Sequence, residues 1–231
     1  MIRSPSRSAR ALVLAGITML ATALHAPMQG AAQATPTESD AEIADFNDLD
    51  GFKRGVSRTY VSEEIAESGG VATADPQVPG LVALSAIVVE YDTDANAARA
   101  FDWARADFQK TLVEDNGVDI VEREIAPIGD KAGAFAGTFS VEEGDGTIVV
   151  VIVQKGTLIY ADFAFSIASE PLEEATALLR DMMSRAPGPG EGDYADDGTS
   201  TGGLWEVFPT EGSYLEGLTP DSDDMLYPHG T

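Results

Sequence analysis

The fold is decided by residues 118–165, which read VDIVEREIAPIGDKAGAFAGTFSVEEGDGTIVVVIVQKGTLIYADFAF. The segment alternates apolar and polar residues or runs apolar throughout, and the turn sequences EGDG and KG interrupt it. It therefore predicts four β-strands joined by reversals, which make neighbouring strands antiparallel. The strand from Thr147 to Val153 is apolar at nearly every position, which is typical of a central strand covered on both faces.

The segments on either side of residues 118–165 predict two further strands and the two helices that cover the faces of the sheet. Residues 95–114 and 169–185 carry apolar side chains at helical spacing, and residues 55–61 and 81–91 have the composition of strands. The second helix is expected to begin at Ser169. The order β-β-α-β-β-β-β-α predicts one α+β domain over residues 52–186, with a mainly antiparallel sheet of about six strands flanked by two helices.

The first 34 residues have the form of a secretory signal peptide. Three arginines precede an apolar run from Ala11 to Leu24, and small residues end at Ala34 in a signal-peptidase pattern. The run is shorter than the about 20 residues of a membrane-spanning helix, so no stable membrane anchor is expected. The sequence favours a secreted or extracytoplasmic protein. Residues 35–51 are polar and acidic and predict a flexible leader.

The formal net charge of -25 restricts the partners of the chain. Phosphate contacts require clustered Lys and Arg, so nucleic acid is not expected, whereas a cation, a basic surface, a protein or a small molecule remains open. The chain has no cysteine, and His229 is the only histidine after the predicted signal peptide. Histidine-dependent triads and histidine-ligated zinc or haem are therefore not expected. We predict no catalytic residue, no metal ligand and no cofactor.

Residues 187–231 predict an acidic, largely disordered tail. From residue 188 onward the chain has ten Asp or Glu and no Lys or Arg. Aromatic and aliphatic residues nevertheless stand among these acids. We interpret four of them as candidate docking residues for a groove on this domain or on a partner, with a solvated tail as the alternative. They are Trp205, Phe208, Tyr214 and Leu218.

Asp162 and Tyr160 are the candidate ligand-binding residues. Asp162 is a carboxylate within an otherwise apolar strand, and alternation places it on one face with Leu158, Tyr160 and Ala164. It either points to solvent or lines a cleft between sheet and helix. A buried carboxylate needs a partner, which favours solvent. Any binding site is still expected around these residues rather than at the hairpin turns.

Two acidic segments partly match a calcium-binding loop. In Asp92–Asn96 the sixth loop position is Ala97 and the twelfth is Trp103, so we interpret it as a turn and helix cap. In Asp193–Gly198 the twelfth position is Leu204, which makes this match weak. Neither segment predicts a metal site.

A wider pattern begins with Ile128-Gly129-Asp130-Lys131-Ala132. A strand, an apolar strand, a Lys-Gly reversal, another apolar strand and a closing helix follow. Over roughly Phe52 to Arg185 this pattern resembles secreted bacterial domains of the PsbP-like type, including the extracellular sensor domains of mycobacterial serine/threonine kinases. The resemblance implies a non-enzymatic extracytoplasmic binding or sensing module, with a six-stranded antiparallel sheet between helices. The chain lacks the cysteines of the kinase sensors.

Three functional hypotheses follow. The first is an exported, non-enzymatic binding or sensing module for an unidentified ligand. The second is a carboxylate-dependent hydrolase of cell-wall or glycan substrates, with two acidic residues acting as acid and base. The third is a weakly calcium-responsive surface protein.

Overall fold

A computed structural model describes residues 46, 49–62, 80–115, 117–141, 144–167, 169–185, 204–220 and 225–227. The predicted signal peptide, most of the acidic leader and the second partial calcium loop lie outside these residues. No helix in the described part of the chain is long and apolar enough to span a membrane.

Eight strands and two helices organise the described residues. In chain order they are β1 (Phe52–Ser62), β2 (Leu81–Tyr91), α1 (Asp94–Lys110), β3 (Asp119–Arg123), β4 (Lys131–Val141), β5 (Gly144–Lys155), β6 (Leu158–Ser166), α2 (Leu172–Arg185), β7 (Leu218–Pro220) and β8 (Met225–Tyr227). They form one antiparallel sheet in the order β3-β4-β5-β6-β2-β1-β7, and β8 also pairs with β1. The predicted α+β class is confirmed, with seven strands across the sheet rather than about six.

The side chains of β5 alternate between two apolar layers on opposite faces of the sheet. Val149, Val151 and Val153 pack with α2, and Ile148, Val150 and Ile152 pack with α1. We term these layers the α2 face and the α1 face. All six side chains are at most 2% exposed. The prediction that this strand is covered on both faces by the two helices is confirmed.

The helix ends follow from local chemistry. The Thr93 hydroxyl accepts a hydrogen bond from the backbone N–H of Asn96 at 3.2 Å, which makes Thr93 the N-cap of α1. This agrees with the interpretation of the Asp92 segment as a turn and cap. The second helix begins at Leu172 rather than at Ser169. Pro171, which has no N–H to donate, immediately precedes its first turn.

Residues 204–220, termed the C-terminal segment, are folded, so the expectation of a largely disordered tail is wrong for them. They contain two single helical turns, Trp205–Val207 and Ser213–Leu215, followed by β7. Their exposed acids are Glu206, Glu211 and Glu216. Their buried apolar residues are Leu204, Val207, Phe208, Leu215 and Leu218. Burial of each large apolar side chain stabilises the folded state by about 1.5–3 kcal/mol. Several such side chains therefore stabilise this segment in spite of its acidic residues.

The packing of Phe208 predicts that the C-terminal segment contributes to stability. The Phe208 side chain is 2% exposed, so we expect Phe208→Ala to lower the free energy of unfolding by about 3 kcal/mol in urea denaturation. Glu206→Ala, at an exposed position of the same segment, is the control and should change it by less than about 0.5 kcal/mol. An unchanged urea midpoint for Phe208→Ala would show that the segment does not pack on the domain.

Candidate functional site

Asp162 lies in the interior of the protein, on the α2 face of β6. Its register partners are Val151 of β5 and Ala86 of β2. The residue is 0% exposed, so the prediction that it points to solvent is wrong. Helix α2 and the C-terminal segment both pack on this face, which leaves the side chain between sheet and helix.

The carboxyl group of Asp162 is buried in an apolar part of the described fold. Neither of its oxygens has a hydrogen-bond partner in the part of the chain that the structure describes. Burial raises the pKa of Asp162 well above its usual range, and the nearby backbone N–H of Phe163, whose geometry falls short of a hydrogen bond, offsets only part of that rise. An unpaired carboxylate in an apolar interior is so costly that the neutral, protonated form is favoured.

Tyr160 presents a second unpaired polar group on the same face. It precedes Asp162 by two residues on β6, a separation of about 7 Å along a strand. The residue is 0% exposed, and its hydroxyl has no hydrogen-bond partner among the described residues. Burial raises the pKa of this hydroxyl, so it stays neutral. A phenol and a carboxyl group whose neutral form is favoured by burial therefore lie two residues apart on one face of β6.

The surroundings of this pair are aliphatic. Val88 is the β2 register partner of Tyr160, and Leu178 and Met182 of α2 belong to the same apolar layer. In this medium a hydrogen bond is stronger than in water, and an unmade one is more costly. Each of the two groups can therefore hydrogen-bond a polar ligand atom inside an apolar environment, as a phenol and a protonated carboxyl group do in some enzymes.

Two surface cavities lie elsewhere. One of about 320 Å³ lies between Tyr60 and residues 210–220 of the C-terminal segment. The other, of about 300 Å³, is lined by residues 123–133 before and at the start of β4. Neither cavity is lined by Tyr160 or Asp162. A ligand reaches the pair only if an element that covers the α2 face moves.

Three of the four predicted docking residues are engaged within the chain. The Phe208 ring lies 5.4 Å from the guanidinium carbon of Arg58, and the Tyr214 hydroxyl donates a hydrogen bond to Asp181 of α2. Leu218 begins β7 and pairs with Ser62 of β1. The groove that they fill therefore belongs to this domain. The side chain of the fourth residue, Trp205, lies outside what the structure describes.

The groups of the domain that hold the C-terminal segment in place are not among the residues predicted from the sequence. The Tyr60 hydroxyl donates a 2.8 Å hydrogen bond to the Pro209 carbonyl across 149 positions of sequence, which no local pattern reveals. Asp181 accepts from Arg185 at 2.8 Å as well as from Tyr214, and these hydrogen bonds, that of Arg185 first, lower the pKa of Asp181. The spacing of Asp181 and Arg185 is one helical turn, a signal that was available in the sequence.

The described residues give no cluster of three or more His, Cys, Asp or Glu side chains placed to hold a metal ion. The Asp92 carboxylate instead accepts a 2.6 Å hydrogen bond from the Asn96 side chain. This contact belongs to the turn that precedes α1.

The chain matches no family model, and no curated protein matches it significantly. Among solved structures it is similar to a protein of unknown function from Pseudomonas aeruginosa, with a TM-score of 0.31 and 12% sequence identity. That similarity covers 61% of this chain and 88% of the other chain. A similarity this low supports no conclusion about fold or function.

The buried acid predicts a specific dependence of stability on pH. Because the pKa of Asp162 is raised on folding, the folded chain holds this proton more tightly than the unfolded chain. Asp162 therefore makes the free energy of unfolding fall as pH rises from about 4 towards the folded pKa, by up to about 1.4 kcal/mol per pH unit. We expect Asp162→Asn, which cannot ionise, to remove this part of the slope.

Urea denaturation of both chains between about pH 4 and pH 8 measures the difference. Glu211→Gln, at an exposed position of the C-terminal segment, controls for the loss of one carboxyl group. Parallel curves for the unaltered chain and Asp162→Asn would mean that Asp162 is not desolvated.

Proposed function

We propose that the chain is an exported, non-enzymatic binding module whose ligand contacts Tyr160 and Asp162. The observation that carries this proposal is the pair of buried polar groups on a central strand that have no hydrogen-bond partner among the described residues. Apolar residues of similar size at these positions would make the folded chain more stable. Buried polar groups that destabilise the folded state are typical of functional sites, where a ligand supplies the missing hydrogen-bond partner.

The chemistry of the pair indicates the class of ligand. Two neutral donors in an aliphatic layer suit an apolar molecule that carries a carbonyl or phenol oxygen. The net charge of -25 disfavours an anionic ligand. An uncharged, largely apolar compound with one oxygen acceptor therefore fits best.

The hydrolase alternative gains less support. A glycoside hydrolase places two carboxyl groups on either side of the scissile bond, about 5–10 Å apart. The sheet neighbours of Asp162 are Tyr160, Ala164, Val151 and Ala86, so no second carboxyl group flanks it within the sheet. Export rests on the signal-like sequence of residues 1–34, and the resemblance to extracytoplasmic sensor domains supports the same class.

A matched pair of tyrosine variants separates a binding role from a structural role. Tyr160→Phe deletes an unpartnered hydroxyl, so stability should be unchanged or higher while binding is lost. Tyr91→Phe deletes a buried hydroxyl that donates to the Phe46 carbonyl at 3.1 Å, so stability should fall by about 1 kcal/mol while binding is kept. Asp162→Leu should raise stability and abolish binding.

Thermal shift with a panel of medium-chain ketones, aliphatic alcohols and alkyl phenols provides the measurement. At least one compound should raise the melting temperature of the unaltered chain and of Tyr91→Phe, and should not raise that of Tyr160→Phe or Asp162→Leu. The proposal fails if no compound shifts the unaltered chain, or if the shift survives both substitutions on β6.

A further inference from the structure

The C-terminal segment lies on the α2 face close to the proposed site. Phe208 packs against Arg58 of β1, whose register partner on β2 is Ala86. Ala86 is in turn the register partner of Asp162. Arg58 and Asp162 are thus two strands apart, about 10 Å, in one row of the sheet. Only the small Ala86 side chain stands between them in that row.

Few contacts of the backbone hold the C-terminal segment on the rest of the domain. Its single helical turns and the three-residue strand β7 contribute few backbone hydrogen bonds to the rest of the fold. Two tyrosine hydroxyls add specific contacts, Tyr60 to the Pro209 carbonyl and Tyr214 to Asp181. The central strands are paired over nine or more residues each, so they open much less readily than this segment.

We propose that the C-terminal segment is a detachable cover over β1 and β2, and that its release opens a route along the sheet to Tyr160 and Asp162 beneath α2 while the central sheet stays folded. This inference rests on the proposed function of the pair, and it adds the element that controls access to it. The exposed acids of the segment keep it soluble when it is released. The hydrogen bonds of the two tyrosine hydroxyls set how often the C-terminal segment detaches from the domain.

Thiol labelling measures access to the site without any ligand. The chain has no cysteine, so Asp162→Cys introduces a single thiol at the proposed site. We expect Tyr60→Phe and Tyr214→Phe each to increase its rate of labelling by iodoacetamide about fivefold, which corresponds to one hydrogen bond. Amide hydrogen exchange within residues 204–220 should rise by the same factor.

Val150→Cys is the matched control, because Val150 is equally buried on the opposite, α1 face. Its labelling reports global unfolding and should not respond to the two tyrosine substitutions. The cover is excluded if segment exchange rises while Asp162→Cys labelling does not, or if both thiols become more reactive by equal factors. If the tyrosine substitutions increase the labelling rate of Asp162→Cys alone, the C-terminal segment is a detachable cover. This conclusion holds even if no compound of the panel binds and the proposed ligand class is wrong.

Discussion

The structure depends on one constraint, which is that β5 and β6 must be covered on both faces. A sheet of seven strands is about 30 Å wide, whereas a helix is about 10–12 Å across. Helix α2 therefore covers only part of its face, and the part over β1 and β2 needs another element. The C-terminal segment supplies it through buried side chains such as Val207 and Phe208. Its folding is a consequence of the covering requirement.

The same constraint gives Asp162 its chemistry. On a strand with one solvated face the residue would be an ordinary exposed acid, but β6 has no solvated face near it. The carboxyl group is therefore desolvated, without a charged or hydrogen-bonding side chain beside it in the described fold. With Tyr160 it forms a polar patch within an aliphatic layer. Burial of these two polar groups lowers the stability of the fold, and a ligand that hydrogen-bonded to them would offset that loss.

The central strands and both helices could be predicted from the sequence because their signals are local. The alternating or continuously apolar strand patterns in residues 134–165 and the helical spacing in residues 95–114 each extend over many positions. The strands β7 and β8 are three residues long, too short for periodicity to show. The acidic composition of residues 187–231 predicts disorder, but a few buried apolar side chains are enough to fold residues 204–220.

Asp162 and Tyr160 were identified from the sequence as candidate binding residues, but the orientation of Asp162 was not. The general expectation that a buried carboxyl group has a partner pointed to solvent. The structure violates that expectation at this position. The contacts of Tyr60 with Pro209 and of Tyr214 with Asp181 join distant parts of the chain, so only the folded structure reveals them.

The most direct test of the account is the pKa of the Asp162 side chain itself, measured by carbon-13 NMR on the carboxyl carbon. Asp162→Asn identifies its resonance by removing it. If Asp162 is buried as described, this carbon does not titrate near pH 4, where exposed aspartates do, and its pKa lies well above the usual range. A normal titration near pH 4 would mean that the group is solvated and would contradict both the buried site and its proposed chemistry.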